Sequence, residues 1–498
     1  MAEKRLEEIR AERLRKRTEL LEANKVPYPA EAKRSHTVAE ALEDFTALAD
    51  DATPVTLNGR VMAVRSHGSV AFLDLRDATG TLQVQINKDS MPEDIFAGLD
   101  TLDTGDFIEA VGKLITNARG TQTLEAVEFH MLTKSINPLP SNYHGLKDHE
   151  ARFRNREVDL LLNDEAREIL LTRSRIISWI RTYMLESGYL EVETPALQAL
   201  HGGAAAQPFT THHNALGVPL HLRIAAELHL KRLLVSGFEK VFEIERRFRN
   251  EGIDRQHNPE FTMLEAQWAY ADYEDLMDAM EQMLHKLCMD LFGTTSIEWQ
   301  GTMLSWEAPL PRLRFVDVVS EKLGVDILTE TNPNVYLALF KKHKLDPPAA
   351  KNYYQLVDEL YKHLVRPNIV QPTILYDYPA QMVPLAKPSL SDPRIAEKFQ
   401  PVAMGLELGN NYTEQNDPVI QRDVLEEQQE ERESGDEEAH PLDEPYLRAM
   451  EYGMPPNVGW GIGIDRLVML LTNAASIRDV IAFPLLRPKQ GKDTKDDA

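Results

Sequence analysis

The stretch from Val241 to Glu251, Val-Phe-Glu-Ile-Glu-Arg-Arg-Phe-Arg-Asn-Glu, admits few folds. In an extended chain successive side chains point to opposite faces. Phe242, Ile244 and Phe248 then share one face, and Glu243, Glu245, Arg247, Arg249 and Glu251 share the other. Solubility alone explains poorly a strand that is greasy on one side and densely charged on the other. Gly252 to Pro259 reads as a loop carrying His257, and Phe261-Thr-Met-Leu-Glu-Ala-Gln-Trp-Ala reads as a returning strand with Phe261, Glu265 and Gln267 on one face. Two such strands predict a wall of Arg, Glu, His and an aromatic ring. That wall suits a nucleotide, with arginine for phosphate and the ring for a base.

Two further pieces carry the same pattern. Glu407 comes first, and beyond Gly409 the residues Asn410, Tyr412, Glu414 and Asn416 alternate onto one face. Gly459-Trp-Gly-Ile-Gly-Ile-Asp-Arg466 permits close backbone approach and runs into an apolar helix. It lacks the third glycine and the βαβ context of a dinucleotide fingerprint, and the chain has no G-x-x-x-x-G-K-[ST] loop, so an ATP site here is not of the P-loop type.

Residues 55–135 read as β: Val55-Thr-Leu-Asn-Gly-Arg-Val, Val70-Ala-Phe-Leu-Asp-Leu-Arg and Thr81-Leu-Gln-Val-Gln-Ile alternate or are β-branched. Short strands at about ten-residue spacing predict a small barrel. A five-stranded barrel of this size is the oligonucleotide-binding type, whose strands 2 and 3 face single-stranded bases. Phe72 and Gln83 fall on that face, one to stack a base and one to hydrogen-bond an edge. Periodicity alone equally allows Phe72 a place in the core.

Residues 1–22 alternate acids and bases, which predicts a mostly solvated helix stopped by Pro27-Tyr28-Pro29. Arg10, Arg13, Lys16 and Arg17 on neighbouring turns are either solvated charge or an accessory contact to phosphates. Ile169, Ile176, Ile177, Ile180 and Met184 form one helical stripe after the cap candidate Asn163. Residues 422–440 read as an acidic surface helix.

The formal net charge of −24 excludes a protein that coats polyanions by overall basicity. A local basic patch on an acidic body remains open. The single cysteine, Cys288, excludes an intrachain disulfide and reads as a buried apolar residue. No apolar run reaches the roughly 18 residues that span a bilayer. The N-terminus has no apolar signal core, so no membrane partner and a cytoplasmic setting are predicted.

Phe248-Arg249-Asn250-Glu251-Gly252 with His257-Asn258-Pro259-Glu260-Phe261 resembles the second signature motif of class II aminoacyl-tRNA synthetases. Gly459 to Arg466 resembles their third. Gly188-Tyr-Leu-Glu-Val-Glu-Thr-Pro195 resembles the first, a helix and strand that usually build a dimer interface. His201-Gly-Gly-Ala204, Pro208-Phe-Thr-Thr-His-His-Asn-Ala215, Leu222-Arg-Ile-Ala225, Ala269-Tyr-Ala-Asp-Tyr273 and His144-Gly-Leu narrow the resemblance to the lysyl-tRNA synthetases of subgroup IIb. It runs from Lys25-Val-Pro-Tyr-Pro to Phe483-Pro-Leu-Leu-Arg-Pro488.

The resemblance implies an α+β chain: an N-terminal OB-fold β-barrel that reads the anticodon, and a C-terminal class II catalytic domain of antiparallel sheet flanked by helices. The expected segments are a helical extension at 1–50, the barrel at 51–138, a hinge at 139–160, the catalytic domain at 161–488 and a disordered tail at 489–498. It implies that L-lysine and ATP form lysyl-adenylate and pyrophosphate, and that the lysyl group moves to tRNA(Lys), in a homodimer using Mg²⁺. Arg249 would bridge the lysine carboxylate and the α-phosphate. His257 and Arg466 would hold the outer phosphates. Phe261 and Arg466 would sandwich adenine, Glu251 would meet its amino group, and Asn258 would belong to the ATP site. Glu407 would coordinate Mg²⁺. Glu414 would take the side-chain ammonium, with Gln267 and Tyr412 beside it, and Glu227 the substrate's amino groups, with Gly203 and Asn410 shaping the pocket. Phe72, Gln83 and Arg65 become anticodon contacts.

The chain departs from the family in places. Gln267 stands where a tyrosine is usual, Gln400 where a second metal-binding glutamate is usual, and Ala226 and His229 where a proline and a tyrosine flank Glu227. These changes keep open a paralogue that adenylates a lysine analogue such as β-lysine, although such paralogues usually lack the barrel. A non-catalytic tRNA-binding protein would have lost Arg249, Glu251 or Arg466, and all three are present. An aspartate pocket would need cations where this chain has Glu227 and Glu414.

Overall fold

The computed structural model describes residues 2–92, 95–96, 98–140, 148–348, 352–434 and 439–488. The chain divides into two compact units, Met1–Lys147 and Asp148–Ala498.

The first unit holds the expected barrel. Strands β1 (Val55–His67), β2 (Val70–Arg76), β3 (Thr81–Asn87), β4 (Phe107–Thr116) and β5 (Gln122–Thr133) close in the order β1-β2-β3-β5-β4. Strict alternation sets the two faces. Leu73, Leu75, Leu82, Val84 and Ile86 fill the interior, while Phe72 and Gln83 are partly exposed on the outside. Phe72 is therefore not a core residue.

Helix α1 (Ala2–Glu22) ends where the charge pattern does, ahead of the prolines. Asn24 adopts φ 56°, and the Lys25 amide reaches back to Leu20 O at 2.8 Å, which terminates the helix before Pro27. Arg13 and Lys16 are not free for phosphate. Buried Arg13 donates to Thr104 O at 2.9 Å and to Ser135 O and Asn137 O at 3.1 Å, and Lys16 pairs with Asp103 at 2.8 Å. Both charges fasten α1 to the barrel.

The second unit is built on a nine-stranded sheet. Its spine runs from Arg312–Arg314 through Thr373–Pro379, Ile395–Ala403, Asn411–Thr413, Asn457–Gly463, Glu260–Ala269 and Lys240–Phe248 to Leu190–Glu191, and Leu406–Glu407 pairs beside it. The interior pairings are antiparallel, as expected, but both outermost pairs are parallel. Phe242, Leu264, Val458, Trp460 and Ile462 form one core with the helices Asp164–Glu186, Tyr273–Phe292 and Ile464–Leu471. Cys288 is buried there. The opposite parity on the same strands faces the cleft described below.

Three helices, Phe315–Leu323, Pro333–His343 and Tyr353–Leu364, form a second core that the sequence reading did not anticipate. Part of the expected 139–160 hinge is also helical, at His149–Arg154 and Arg156–Leu162. Buried Arg156 holds it to the body, pairing with Asp159 at 2.6 Å and donating to Asp479 O and Ala482 O. The hinge residues 141–147, residues 435–438 of the acidic run and the tail from 489 onward lie outside the described residues. No helix among the described residues is long and apolar enough to cross a membrane.

Candidate active site

The Lys240–Phe248 and Glu260–Ala269 strands pair with Val241 opposite Gln267, Glu243 opposite Glu265 and Arg247 opposite Phe261. Their charged face is largely satisfied from within. Arg247 donates to Glu245 at 3.0 Å and pairs with Glu265. Arg223 bridges Glu243 at 2.7 Å and Glu245 at 2.6 Å. Such a buried, mutually paired lattice fixes the wall in place; breaking one member leaves a stranded charge.

The next strand supplies the floor. Gly459, Gly461 and Gly463 lie opposite Gln267, Glu265 and Met263. A Cβ on Gly459 would collide with Glu414 Oε1 and approach Gln267 Nε2 to 2.9 Å, and one on Gly461 would come within 2.8 Å of Asn410 O. The alternating glycines thus keep the floor open. Asp465 locks this strand's end, accepting from the Thr262 amide at 2.6 Å and from Arg173 at 2.5 Å.

Residues from all these strands line one cleft of about 920 Å³. Gly203, Glu227, Arg249, Glu251, His257, Asn258, Phe261, Gln267, Glu407, Asn410, Tyr412, Glu414 and Arg466 all reach it. Asn416 turns away, accepting from Lys387 at 2.6 Å.

At one end the cleft is cationic. The Arg249 guanidinium lies 5.2 Å from the Phe261 ring centroid, its Nε is buried without a partner, and burial beside Arg247 pushes its pKa down to about 10. Arg249 is thus the cation seen over that ring. Arg466 sits in the first turn of the Ile464–Leu471 helix, donating to Glu407 O at 2.7 Å and facing His257 Nε2 at 3.0 Å. Asn258 is partly structural: Nδ2 donates to Glu260 O at 2.7 Å, and Oδ1 is a buried, unpartnered acceptor.

Glu407 is the carboxylate on hand for a divalent cation. Gln400 is committed elsewhere, accepting from Tyr378 Oη at 2.7 Å and donating to Asn410 Oδ1 at 3.3 Å. Among the described residues no group of three or more His, Cys, Asp or Glu could hold a metal. That donor set fits an ion carried mainly by phosphates and water with one carboxylate, the usual habit of Mg²⁺. It does not fit an all-protein cage.

The other end is anionic, and it holds a surprise. Glu227 opens the Glu227–Val235 helix, and Lys231 one turn on places Nζ 2.6 Å from Glu227 Oε1 and in contact with Glu414 Oε2. Gln267 Nε2 donates to Glu414 Oε1 at 2.8 Å, and Tyr412 Oη donates to Glu227 Oε1 at 2.7 Å. Burial pushes the Glu414 carboxyl up, while Lys231 and the Gln267 hydrogen bond pull it back down. Burial likewise opposes the Lys231 ammonium, but Glu227 and Glu414 outweigh it and keep it charged. Gln267 Oε1 remains a buried acceptor without a donor. Such an orphan in a polar cup is satisfied by a ligand that brings N–H groups.

Three other contributors went unread. Gln428 and Glu431 of the acidic Pro418–Glu433 helix line the cleft, and Glu431 accepts from Tyr354 Oη at 2.8 Å, so this helix is not merely a solvated face. His440 is buried close by, its pKa pushed down by burial to about 4.

On the barrel, Arg65 is registered with Phe72, and Asp74 with Gln83. Arg65 is held bidentate by Asp74 at 2.9 and 2.5 Å, while Gln83 Oε1 accepts from Asn117 Nδ2 at 3.0 Å. The three expected base contacts thus sit on one outer surface.

Residues 148–487 match the tRNA synthetases class II (D, K and N), and residues 55–139 match the OB-fold nucleic acid binding domain. The chain is 44% identical over 486 residues to a lysine–tRNA ligase of Chloroflexus aurantiacus, covering 97% of this chain and 99% of that protein. It is 43% identical to the lysine–tRNA ligase of Carboxydothermus hydrogenoformans, at 98% and 100% coverage. With that of Bacillus subtilis it shares 43% identity, at 93% and 94%.

Proposed function

The chain belongs to the class II tRNA synthetases, and from that membership we propose that its cleft activates L-lysine with ATP and passes it to the 3′ end of tRNA(Lys). The activity is that of an aminoacyl-tRNA ligase. One observation carries the substrate: the blind end of the cleft combines Glu227, Glu414 and the undonated Gln267 Oε1, a cup that suits an ammonium and repels a carboxylate. That cup favours lysine over aspartate.

The chemistry needs no side-chain nucleophile. The lysine carboxylate attacks the α-phosphorus and pyrophosphate leaves in line, so catalysis is orientation plus stabilisation of charge on phosphate oxygens. Arg249 spans the carboxylate and the α-phosphate with its unpartnered edge. His257 and Arg466 hold the outer phosphates. Phe261 and Arg466 sandwich adenine, Glu251 meets its amino group, and Asn258 lines the same site. Glu407 would hold Mg²⁺, which when bound neutralises charge on the phosphate oxygens. Glu414 and Gln267 receive the side-chain ammonium, Glu227 the substrate's amino groups, and Gly203, Asn410 and Tyr412 shape the pocket.

Phe72, Gln83 and Arg65 meet anticodon bases. The segment around Gly188–Pro195 supports a homodimer, and the setting is the cytoplasm. Amino-acid-dependent ATP–pyrophosphate exchange with lysine, ornithine, β-lysine and aspartate tests the reading. Lysine should drive exchange; aspartate doing so, or β-lysine far above lysine, would overturn it.

A further inference from the structure

Lys231 has no part in the chemistry set out above, yet it is the residue that Glu227 and Glu414 share. A lysine four residues after a glutamate on an exposed helix is a marginal ion pair. Here the same spacing points the side chain into the protein, beneath the cleft-lining Glu227 and Glu414. The Lys231 side chain has no exposed surface, and the rings of Tyr412 and Tyr446 lie 5.5 and 6.0 Å from Nζ. An ammonium persists in such a place only if its charge is matched. The converse bears on recognition. Without Lys231, two carboxylates would face each other across a water-poor floor, and one would take a proton. A protonated Glu414 cannot grip a cation.

We propose that Lys231 is a positioning residue for lysine recognition: by tying down Oε1 of Glu227 and Oε2 of Glu414, it keeps both groups as carboxylates whose remaining acceptors, with Gln267 Oε1, meet the substrate. This rests on the reading of Glu414 and Glu227 as the lysine-binding pair. The titratable groups around Glu414 are Glu227 and Lys231 from the Glu227–Val235 helix, Tyr412 from the adjoining strand and Tyr446 from the Glu444–Glu451 helix. His440 feels Glu227 and Lys231 as well but is held neutral. Lys231 is thus the cation of this group.

The test is Lys231→Met in the full-length protein, assayed by lysine-dependent exchange. At pH 7 the lysine KM should rise roughly a hundredfold, with the ATP KM within about twofold. Between pH 7 and 9 it should recover by about tenfold or more as Glu414 ionises unaided, while the wild-type KM stays nearly flat. An unchanged KM in a variant that binds ATP would overturn the role, and so would a rise that pH does not relieve. If Lys231→Met loses ATP binding, the double variant Lys231→Met/Glu414→Gln carries the comparison, because it removes the stranded charge along with the lysine. Its lysine KM should match that of Glu414→Gln alone, and a multiplied loss would refute the coupling. Wild-type protein without lysine-dependent exchange would instead reject the substrate reading itself.

Discussion

Arg466 Nη2 lies 3.0 Å from His257 Nε2, while His257 Nδ1 lies 2.8 Å from Asp254 Oδ2. A guanidinium has no acceptor, so Nε2 must accept and the ring proton belongs on Nδ1, donated to Asp254. Asp254 is in turn fixed by the Gln256 and His257 amides at 2.6 and 2.8 Å. The loop between the two central strands is therefore pinned to the first turn of the Ile464–Leu471 helix without help from nucleotide.

This arrangement makes Arg466 an anchor for both the loop and the phosphates. Arg466→Ala should lower kcat/KM for ATP by about 10²–10³, as expected for a charge-assisted donor in a preorganised site. His257→Ala should raise the ATP KM by roughly tenfold, the scale of one hydrogen bond to a charged group. Exchange kinetics at saturating lysine check both. A lysine KM that rises as far as the ATP KM would show that the two residues serve the cleft as a whole rather than the phosphates.

At the other end, Glu414→Gln should raise the lysine KM about a hundredfold or more while leaving the ATP KM nearly unchanged, because a desolvated ammonium then lacks its countercharge. The fold should survive, since Lys231 keeps Glu227 as partner at 2.6 Å. Gln267→Leu removes the orphan acceptor without touching charge and should cost about tenfold in the same KM. Unaltered lysine kinetics in both variants would place the ammonium elsewhere.

Much of this was legible in the chain. Period-2 alternation assigned Glu243, Glu245 and Arg247 to one face, and the structure pairs that face as one buried lattice. The same rule put Phe72 and Gln83 on one face but left open whether the Phe72 ring was core, which the structure decides. What escaped was long-range pairing. Lys231 reads locally as a surface i,i+4 partner of Glu227, and its third neighbour, Glu414, is far away in sequence. Arg13 and Lys16 read as helix-surface charge, yet their partners Thr104, Ser135, Asn137 and Asp103 come from loops and strand ends that no local pattern connects to α1. The acidic helix hid its role in the same way: Glu431 looks like one of many solvated acids until Tyr354 is seen to donate to it.

The barrel face makes a separate prediction. Phe72→Ala should weaken tRNA(Lys) by about tenfold in aminoacylation, the scale of one base–aromatic stack, and leave ATP–pyrophosphate exchange intact. Because the ring lies outside the core, the thermal midpoint should hardly move. Arg65→Ala should cost less, since Arg65 must first surrender its bidentate bond to Asp74. Measuring the tRNA KM and the exchange rate on the same preparations distinguishes a lost contact from a lost fold. A Phe72→Ala protein that charges tRNA normally would remove this ring from the interface.

His440 adds a dependence on pH that concerns stability rather than chemistry. Its ring is buried, and burial pushes its pKa down to about 4, with Glu227 opposing and Lys231 reinforcing the shift. The unfolded chain takes up this proton near the ordinary histidine pKa of about 6.5, while the folded protein refuses it until about 4. The unfolded state therefore binds more protons within that window, and stability falls as pH falls. Complete linkage for one such group is worth about 3 kcal/mol at the acid end. His201, also pushed down to about 4 by burial, acts in the same direction. Thermal unfolding should then show a midpoint that drops from pH 7 to pH 5. His440→Met should flatten that drop without abolishing it, because His201 remains. An identical slope in the variant would mean that the His440 ring meets solvent and titrates as it does in the unfolded chain.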